Sequence, residues 1–218
     1  MPTVRAARAD EFEQVMDFYT RMIDEMCGTD FDVRWRHGVH PSPEFLRAAC
    51  KAGEVYVVVA DEGGTDAGAA EGANRAGAAD GGAADPAVGT GGGTTSGSSS
   101  AFAGKPRFAA AMVLNEEGTE GYDAAPWRVS AAPGEAWVVH VLATLPAYHS
   151  RGFARTLVQG GIDVARAAGK KAVRLDVFTD NVRAQRLYES CGFEHVGTCS
   201  LYHEDLGTVE FALYELAL

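Results

Sequence analysis

No stretch of the sequence approaches the roughly 18 uninterrupted apolar residues that a membrane-spanning helix needs. Met1 to Asp10 lack the apolar core of a secretory leader, so a cytoplasmic location is expected. Cysteine is scarce: Cys27, Cys50, Cys191 and Cys199 form no Cys-x-x-Cys pair, which argues against a disulfide scaffold and suits a reducing compartment. Basic residues are the minority, 19 Lys and Arg against 30 Asp and Glu, for a formal net charge of −11. A general nucleic-acid binder needs the opposite balance, whereas a cationic or amine substrate is easily accommodated. His37, His40, His195 and His203 show no metal-ligand spacing, so no metal is expected. No Ser or Cys stands in a nucleophile elbow.

Glycine, by contrast, is plentiful, and its distribution is uneven. Thirteen of the 26 glycines fall between Gly63 and Gly104, among alanines and a Ser/Thr run. Between about residues 62 and 106 the only bulky apolar side chains are Val88 and Phe102. Such a segment cannot offset its own ordering entropy, so it is expected to be a flexible insertion within one domain spanning residues 1–218. It carries net −3, so the rest of the chain keeps −8 of the −11.

Around the insertion the periodicities are clear. Thr3–Ala7 reads as a short strand. Asp10 with Glu13 reads as a capping box opening a helix, whose apolar face runs from Phe12 through Val15, Met16 and Tyr19 to Met26. Ser42 and Pro43 open a second helix that closes at Gly53. Strands are expected at Glu54–Ala60, Arg107–Leu114, Glu135–Thr144 and Lys171–Phe178, and two more between Phe193 and Leu218. Helical spacing returns from Phe153 to Ala168, and again after Asp180 and Asn181 until Gly192. This order implies an α/β chain with a mixed sheet packed by helices.

Chemistry concentrates where the strand ending at Thr144 passes through Pro146 into the helix near Gly152. The free N–H groups of a helix start, backed by its dipole, form an anion site. Gly152 allows close approach to the backbone, and Arg151 and Arg155 add positive charge. Phosphate or pyrophosphate binding is the chemistry implied. The glycine spacing fits neither a P-loop nor the Rossmann fingerprint.

The segment His149-Ser-Arg-Gly-Phe-Ala154 resembles the acyl-CoA motif of the GNAT acyl-CoA N-acyltransferase superfamily, Gln/Arg-x-x-Gly-x-Gly/Ala, with His149 standing where Gln or Arg is usual. About thirty residues on, Asn181, Ala184, Leu187, Tyr188, Gly192 and Phe193 resemble the same family's Asn-x-x-Ala-x-x-Leu-Tyr-x-x-x-Gly-Phe signature. The resemblance implies a mixed, mostly antiparallel sheet of about six to seven strands flanked by about four helices. It also implies acetyl-CoA as co-substrate, with transfer of the acetyl group to a primary amine by direct attack.

Carried over residue by residue, it puts Leu142, Ala143 and Thr144 along the pantetheine arm. It assigns the pyrophosphate to His149, Ser150, Arg151, Gly152, Phe153, Ala154 and Arg155, and a cofactor contact near the arm to Asn181. Tyr188 becomes the general acid that protonates the departing thiolate. Two bases compete. His140 is expected, by strand alternation, on the same face as Leu142 and Thr144, and resembles the base of arylalkylamine-type members. Asp176 occupies the place of a catalytic glutamate in ribosomal-protein acetyltransferases; its simpler role is to pair with Arg174. Trp35, His37, Tyr122 and Trp127 are acceptor-pocket candidates by location, with Tyr122 and Trp127 serving equally well as solvent-shielding aromatics. The acceptor is a small molecule or peptide, and a homodimer is compatible with the sequence. The competing reading is a non-catalytic acyl-CoA-binding or sensing module.

Overall fold

The computed structural model describes residues 3–60, 107–118, 121–203 and 207–218. The insertion expected at about 62–106, and its flexibility, lie outside the described residues. The elements are β1 (Val4–Ala6), α1 (Phe12–Met26), α2 (Pro43–Ala52), β2 (Val55–Val59), β3 (Phe108–Asn115) and β4 (Ala136–Thr144). They continue as α3 (Phe153–Ala167), β5 (Ala172–Phe178), α4 (Val182–Ser190), β6 (Glu194–His203) and β7 (Gly207–Ala217). The seven strands form one sheet in the order β1-β2-β3-β4-β5-β7-β6. Every neighbouring pair is antiparallel except β4 and β5.

Local signals explain most boundaries. The Ser42 hydroxyl accepts from the Phe45 N–H at 3.1 Å, Pro43 takes the first turn of α2, and Gly53 closes it in the left-handed conformation. The start of α1 differs from the expectation of an Asp10–Glu13 box. A 3-10 turn at Ala9–Glu11 precedes the helix, and the buried Glu11 carboxylate accepts from the Arg8 N–H at 2.8 Å while pairing with Arg5 at 2.7 Å. The ion pair to β1 draws the capping acid to position 11. In α3, Gly160 and Gly161 let the helix lie close on the sheet: a Cβ at Gly160 would come within 2.6 Å of Val4, and one at Gly161 within 2.4 Å of Met112. The core is split by the sheet. α3 and α4 cover one face with Leu157, Ile162 and Tyr188; α1 and α2 cover the other with Val15, Met22 and Leu46.

Two features of the centre matter for the site. First, β4 and β5 pair in register only over Ala136–Val138 with Ala172–Arg174. Beyond that point β4 stays with β3, and β5 stays with β7 along its whole length, so the sheet parts between them. Second, β4 carries one residue more than β3: Ala111 lies opposite Ala143, but Val113 lies opposite His140. The extra residue is a β-bulge. Val141 sits in it at φ 46°, a conformation that costs a β-branched residue energy. The buried Tyr19 hydroxyl of α1 donates to the Val141 carbonyl at 2.9 Å and holds the bulge in place.

Removing that donor leaves a buried carbonyl unmatched. Tyr19→Phe is therefore expected to lower unfolding stability by about 1–3 kcal/mol in urea titration. An unchanged midpoint would show that the bulge does not depend on the bond.

Candidate active site

The parting of β4 and β5 opens a cleft of about 380 Å³. Of the site residues expected from the sequence, His140, Leu142, Asp176, Asn181 and Tyr188 line it. The bulge alters how two of them are presented. His140 lies across from Val113, on the α1–α2 side, whereas Leu142 packs with the α3–α4 cluster. His140 and Leu142 therefore do not share a face, contrary to simple alternation, because the extra residue shifts the phase of the strand. His140 still reaches the cleft, since the cleft passes between the separated strands.

The protonation geometry of His140 follows from its partner. Its Nε2 lies 2.8 Å from the Glu117 carbonyl, which can only accept, so Nε2 carries the hydrogen. In the neutral ring Nδ1 is then the proton acceptor. Burial pulls the His140 pKa below the usual histidine value, with the nearby Asp176 carboxylate opposing it, and the ring is neutral at neutral pH.

Tyr188, by contrast, is on the second turn of α4, with its ring against Phe193 and Tyr214 at centroid distances of 5.9 and 6.4 Å. Burial, reinforced by the Asp176 charge, raises its pKa above the ordinary tyrosine value. It holds its proton and can release it only to a strong base. The cleft thus sets a neutral imidazole and a protonated phenol on its walls.

The strand neighbours Arg174 and Asp176 have different hydrogen-bond partners. Arg174 donates to the buried Glu215 carboxylate at 3.0 Å, and Glu215 also accepts from the N–H groups of Arg128 and Val129. Asp176 accepts instead from the Tyr122 hydroxyl at 2.9 Å. Tyr122 is buried against Val138 and Leu213, and its carbonyl accepts from Trp127 Nε1 at 2.7 Å. Tyr122 and Trp127 lie outside the lining of the cleft and brace Asp176 from behind. His37 is also outside it, bonded to Asp24 at 2.7 Å. Trp35 does line the cleft.

At the other end of β4 the turn before α3 follows the expected pattern. Ser150 and Gly152 adopt left-handed φ of 57° and 81°, and Gly152 is the residue from which α3 starts. A Cβ there would meet no protein atom within 4 Å, so the space over the backbone is open. Arg151 lies over the rings of Tyr148 and Phe153, 5.4 Å from each centroid, and Arg155 is exposed one turn into the helix. Phe153 is buried in the α3–α4 cluster, and Ala154 beside it is half-buried. His149, in place of the usual Gln or Arg, directs Nε2 to the Thr144 carbonyl at 2.8 Å and ties the turn to the strand end. Asn181 caps α4 by accepting from the Ala184 N–H at 3.1 Å.

Several contributors carry no local signal. Phe45, spaced like a core residue of α2, stands edge-on to His140 at 6.0 Å. Glu117 meets His140 through its carbonyl, and Tyr19 acts across 122 residues of chain. Among the described residues no three His, Cys, Asp or Glu side chains gather to hold a metal, and no helix is long and apolar enough to cross a membrane. One polar atom is conspicuous: the Thr144 hydroxyl is the only buried side-chain N or O, among the described residues, with no hydrogen-bond partner. It lies in the strand between the cleft residue Leu142 and the α3 turn, where a ligand with amide and phosphate groups would pass.

Residues 107–193 match the model of the Acetyltransferase (GNAT) family. N-alpha-acetyltransferase RimI of Mycobacterium tuberculosis is 35% identical over 86 residues, 39% of this chain and 52% of that protein. Mycothiol acetyltransferase of Beutenbergia cavernae is 35% identical over 92 residues, 41% of this chain and 30% of that protein. The chain thus spans about half the length, or less, of the curated relatives it matches. Among solved structures, a GNAT-family acetyltransferase from Streptococcus agalactiae superposes with TM-score 0.63 at 16% identity, covering 100% of this chain and 95% of that one. Arabidopsis thaliana NAA60, in complex with a bisubstrate analogue, superposes with TM-score 0.60 at 13% identity, covering 100% and 99%. The match to the GNAT acetyltransferase family covers residues 107–193, less than half of the chain, and the chain as a whole has the fold of the acetyltransferase structures on which it superposes.

Proposed function

We propose that the chain transfers an acetyl group from acetyl-CoA to the nitrogen of a primary amine, by direct attack within a ternary complex. The observation that carries this reading is the parting of β4 from β5 beyond Val138, which leaves a cleft with His140 and Tyr188 on its walls. The reading takes residues 1–218 as one acetyltransferase domain with an insertion at about 62–106, acting in the cytoplasm. The relatives support it: RimI and mycothiol acetyltransferase are both named as acetyltransferases, and NAA60 has been crystallised with acetyl-CoA.

When bound, acetyl-CoA supplies an activated acetyl thioester. The chain supplies everything else. The edge of β4 from Leu142 to Thr144 has no strand partner on the β5 side among the described residues, so its backbone groups, apart from the Thr144 carbonyl that His149 occupies, can orient an extended amide-bearing arm. The unmatched Thr144 hydroxyl adds a further hydrogen-bonding group. Ser150 to Arg155 offer the α3 N–H groups and two guanidiniums to the pyrophosphate. Fixing both reactants in the cleft converts an encounter between them into a local event. His140 Nδ1 takes the proton of the attacking amine, and Tyr188 Oη gives one to the leaving sulfur. Asp176, held by Tyr122, faces both groups as a fixed negative charge and stands as the alternative base.

Calorimetry with the purified chain tests the first step. Acetyl-CoA is expected to bind, and Gly152→Ala to weaken it about tenfold, since its Cβ enters the open space over the turn at an unfavourable φ. Absence of binding, or binding of ATP or NAD in its place, overturns the reading.

The proton roles give a second test. Tyr188→Phe should lower turnover about a hundredfold while the acetyl-CoA affinity stays nearly constant. His140 must be neutral to accept a proton, and its pKa lies below the usual value. The rate should therefore be level near neutrality and fall only as pH drops below about 6.5. His140→Gln should abolish that acidic limb and Asp176→Asn should retain it; the reverse outcome transfers the base role to Asp176.

A further inference from the structure

The wall of the cleft contributed by the segment between α1 and α2, and by α2 itself, is apolar. Val33, Trp35, Val39 and Phe45 come from it. The Trp35 ring is seated against the buried Tyr19 ring at 6.2 Å and against His40 at 5.3 Å, so it forms a fixed surface. Val39 lines the cleft yet is 43% exposed, an apolar side chain left at its opening.

The charged lining is one-sided. Asp176 and Glu117 are among the lining residues, and no Lys or Arg is, among the described residues. Of the arginines next to lining residues in the chain, Arg36 beside Trp35 is exposed, and the other two are engaged elsewhere. Arg34, between Val33 and Trp35, forms an ion pair with Asp180 and lies 5.0 Å over the Phe178 ring. Arg183 lies 3.8 Å over the Phe31 ring. An acceptor bearing a carboxylate, phosphonate or sulfonate beside its amine would bring a second negative charge towards Asp176 and meet no lining cation. An ammonium on an apolar body meets the reverse: a carboxylate ahead of it and aromatic and branched side chains around it.

We infer that the acceptor is a primary amine on an apolar or aromatic body, with no acid group on the carbon that bears the nitrogen. This rests on the acetyl-transfer reading and narrows it. Two sources present that chemistry, a free amine and the first residue of a peptide, whose carboxyl is tied up as a neutral amide. Free amino acids lack it, and short polar diamines lack the apolar body.

The test uses the full chain at saturating acetyl-CoA and measures coenzyme A release. The acceptors are 2-phenylethylamine, the C-terminally amidated peptide Phe-Gly-Gly, free phenylalanine and putrescine. At least one of the first two should exceed phenylalanine and putrescine in kcat/KM by about tenfold or more, and the better of the two identifies the source. Trp35→Ala should raise KM for the favoured acceptor about tenfold and leave the calorimetric affinity for acetyl-CoA unchanged. The inference is overturned if phenylalanine or putrescine is used as well as the favoured amine. It is also overturned if acetyl-CoA binds by calorimetry but none of the four is acetylated. Failure of acetyl-CoA to bind at all is a different result, and overturns the acetyl-transfer reading together with this inference.

Discussion

The buried hydroxyl of Tyr19 donates to the carbonyl of Val141, and through that bond a helix at the start of the chain holds a bulge in the central strand. A β-branched residue in the left-handed region is strained by about 1–3 kcal/mol, so β4 adopts the conformation only because its surroundings require it. Val141 is buried in the α1–α2 cluster beside Ala143 and Leu145, and its backbone has nowhere else to go. From the bulge follow the rotation of His140 towards α2, the direction of Leu142 towards α3, and the failure of β4 to rejoin β5. The cleft is the space left by two strands each committed to another partner.

Within that space a single carboxylate acts on several groups. Burial raises the pKa of Tyr188 and Tyr122, and Asp176 raises both further while opposing the lowering of the His140 pKa by burial. Its position is maintained from outside the cleft. The Tyr122 hydroxyl holds it, Trp127 holds the Tyr122 backbone, Arg174 lies 4.7 Å over Trp127, and buried Glu215 holds Arg174. In the segment between β3 and β4, Tyr122 and Trp127 thereby support the charge, while Glu117 and Gly118 line the cleft.

Most of the fold is legible in the sequence because local chemistry decides it. Ser42-Pro43, Gly53 and Asn181 mark helix ends that any context would respect, and the branched run at Val55–Val59 suits a covered strand. The turn at Ser150–Gly152 is legible for the same reason. What cannot be read locally depends on residues brought together over long separations. Alternation counts residues, so one inserted by a bulge puts His140 on the wrong face. The pairing of Arg174 with Glu215, and of Asp176 with Tyr122, is decided by which strands and turns adjoin β5, and charge adjacency along one strand says nothing of that. Asp10 is displaced as a cap because Glu11 has Arg5 to bond with across from β1.

The ion pair of Arg34 with Asp180 joins the apolar wall to the junction of β5 and α4, and both partners are about half exposed. Such pairs contribute little, about 0–1 kcal/mol, and weaken as salt rises. The opposite wall rests on a buried hydroxyl, a strained backbone and a continuous ladder to β3. The two halves of the cleft therefore differ in how firmly they are built. The β4 half tolerates little change, whereas the half built around Arg34 is joined to the rest by an exposed ion pair. One wall of the cleft can therefore change shape with salt and substitution while the β4 wall stays as it is.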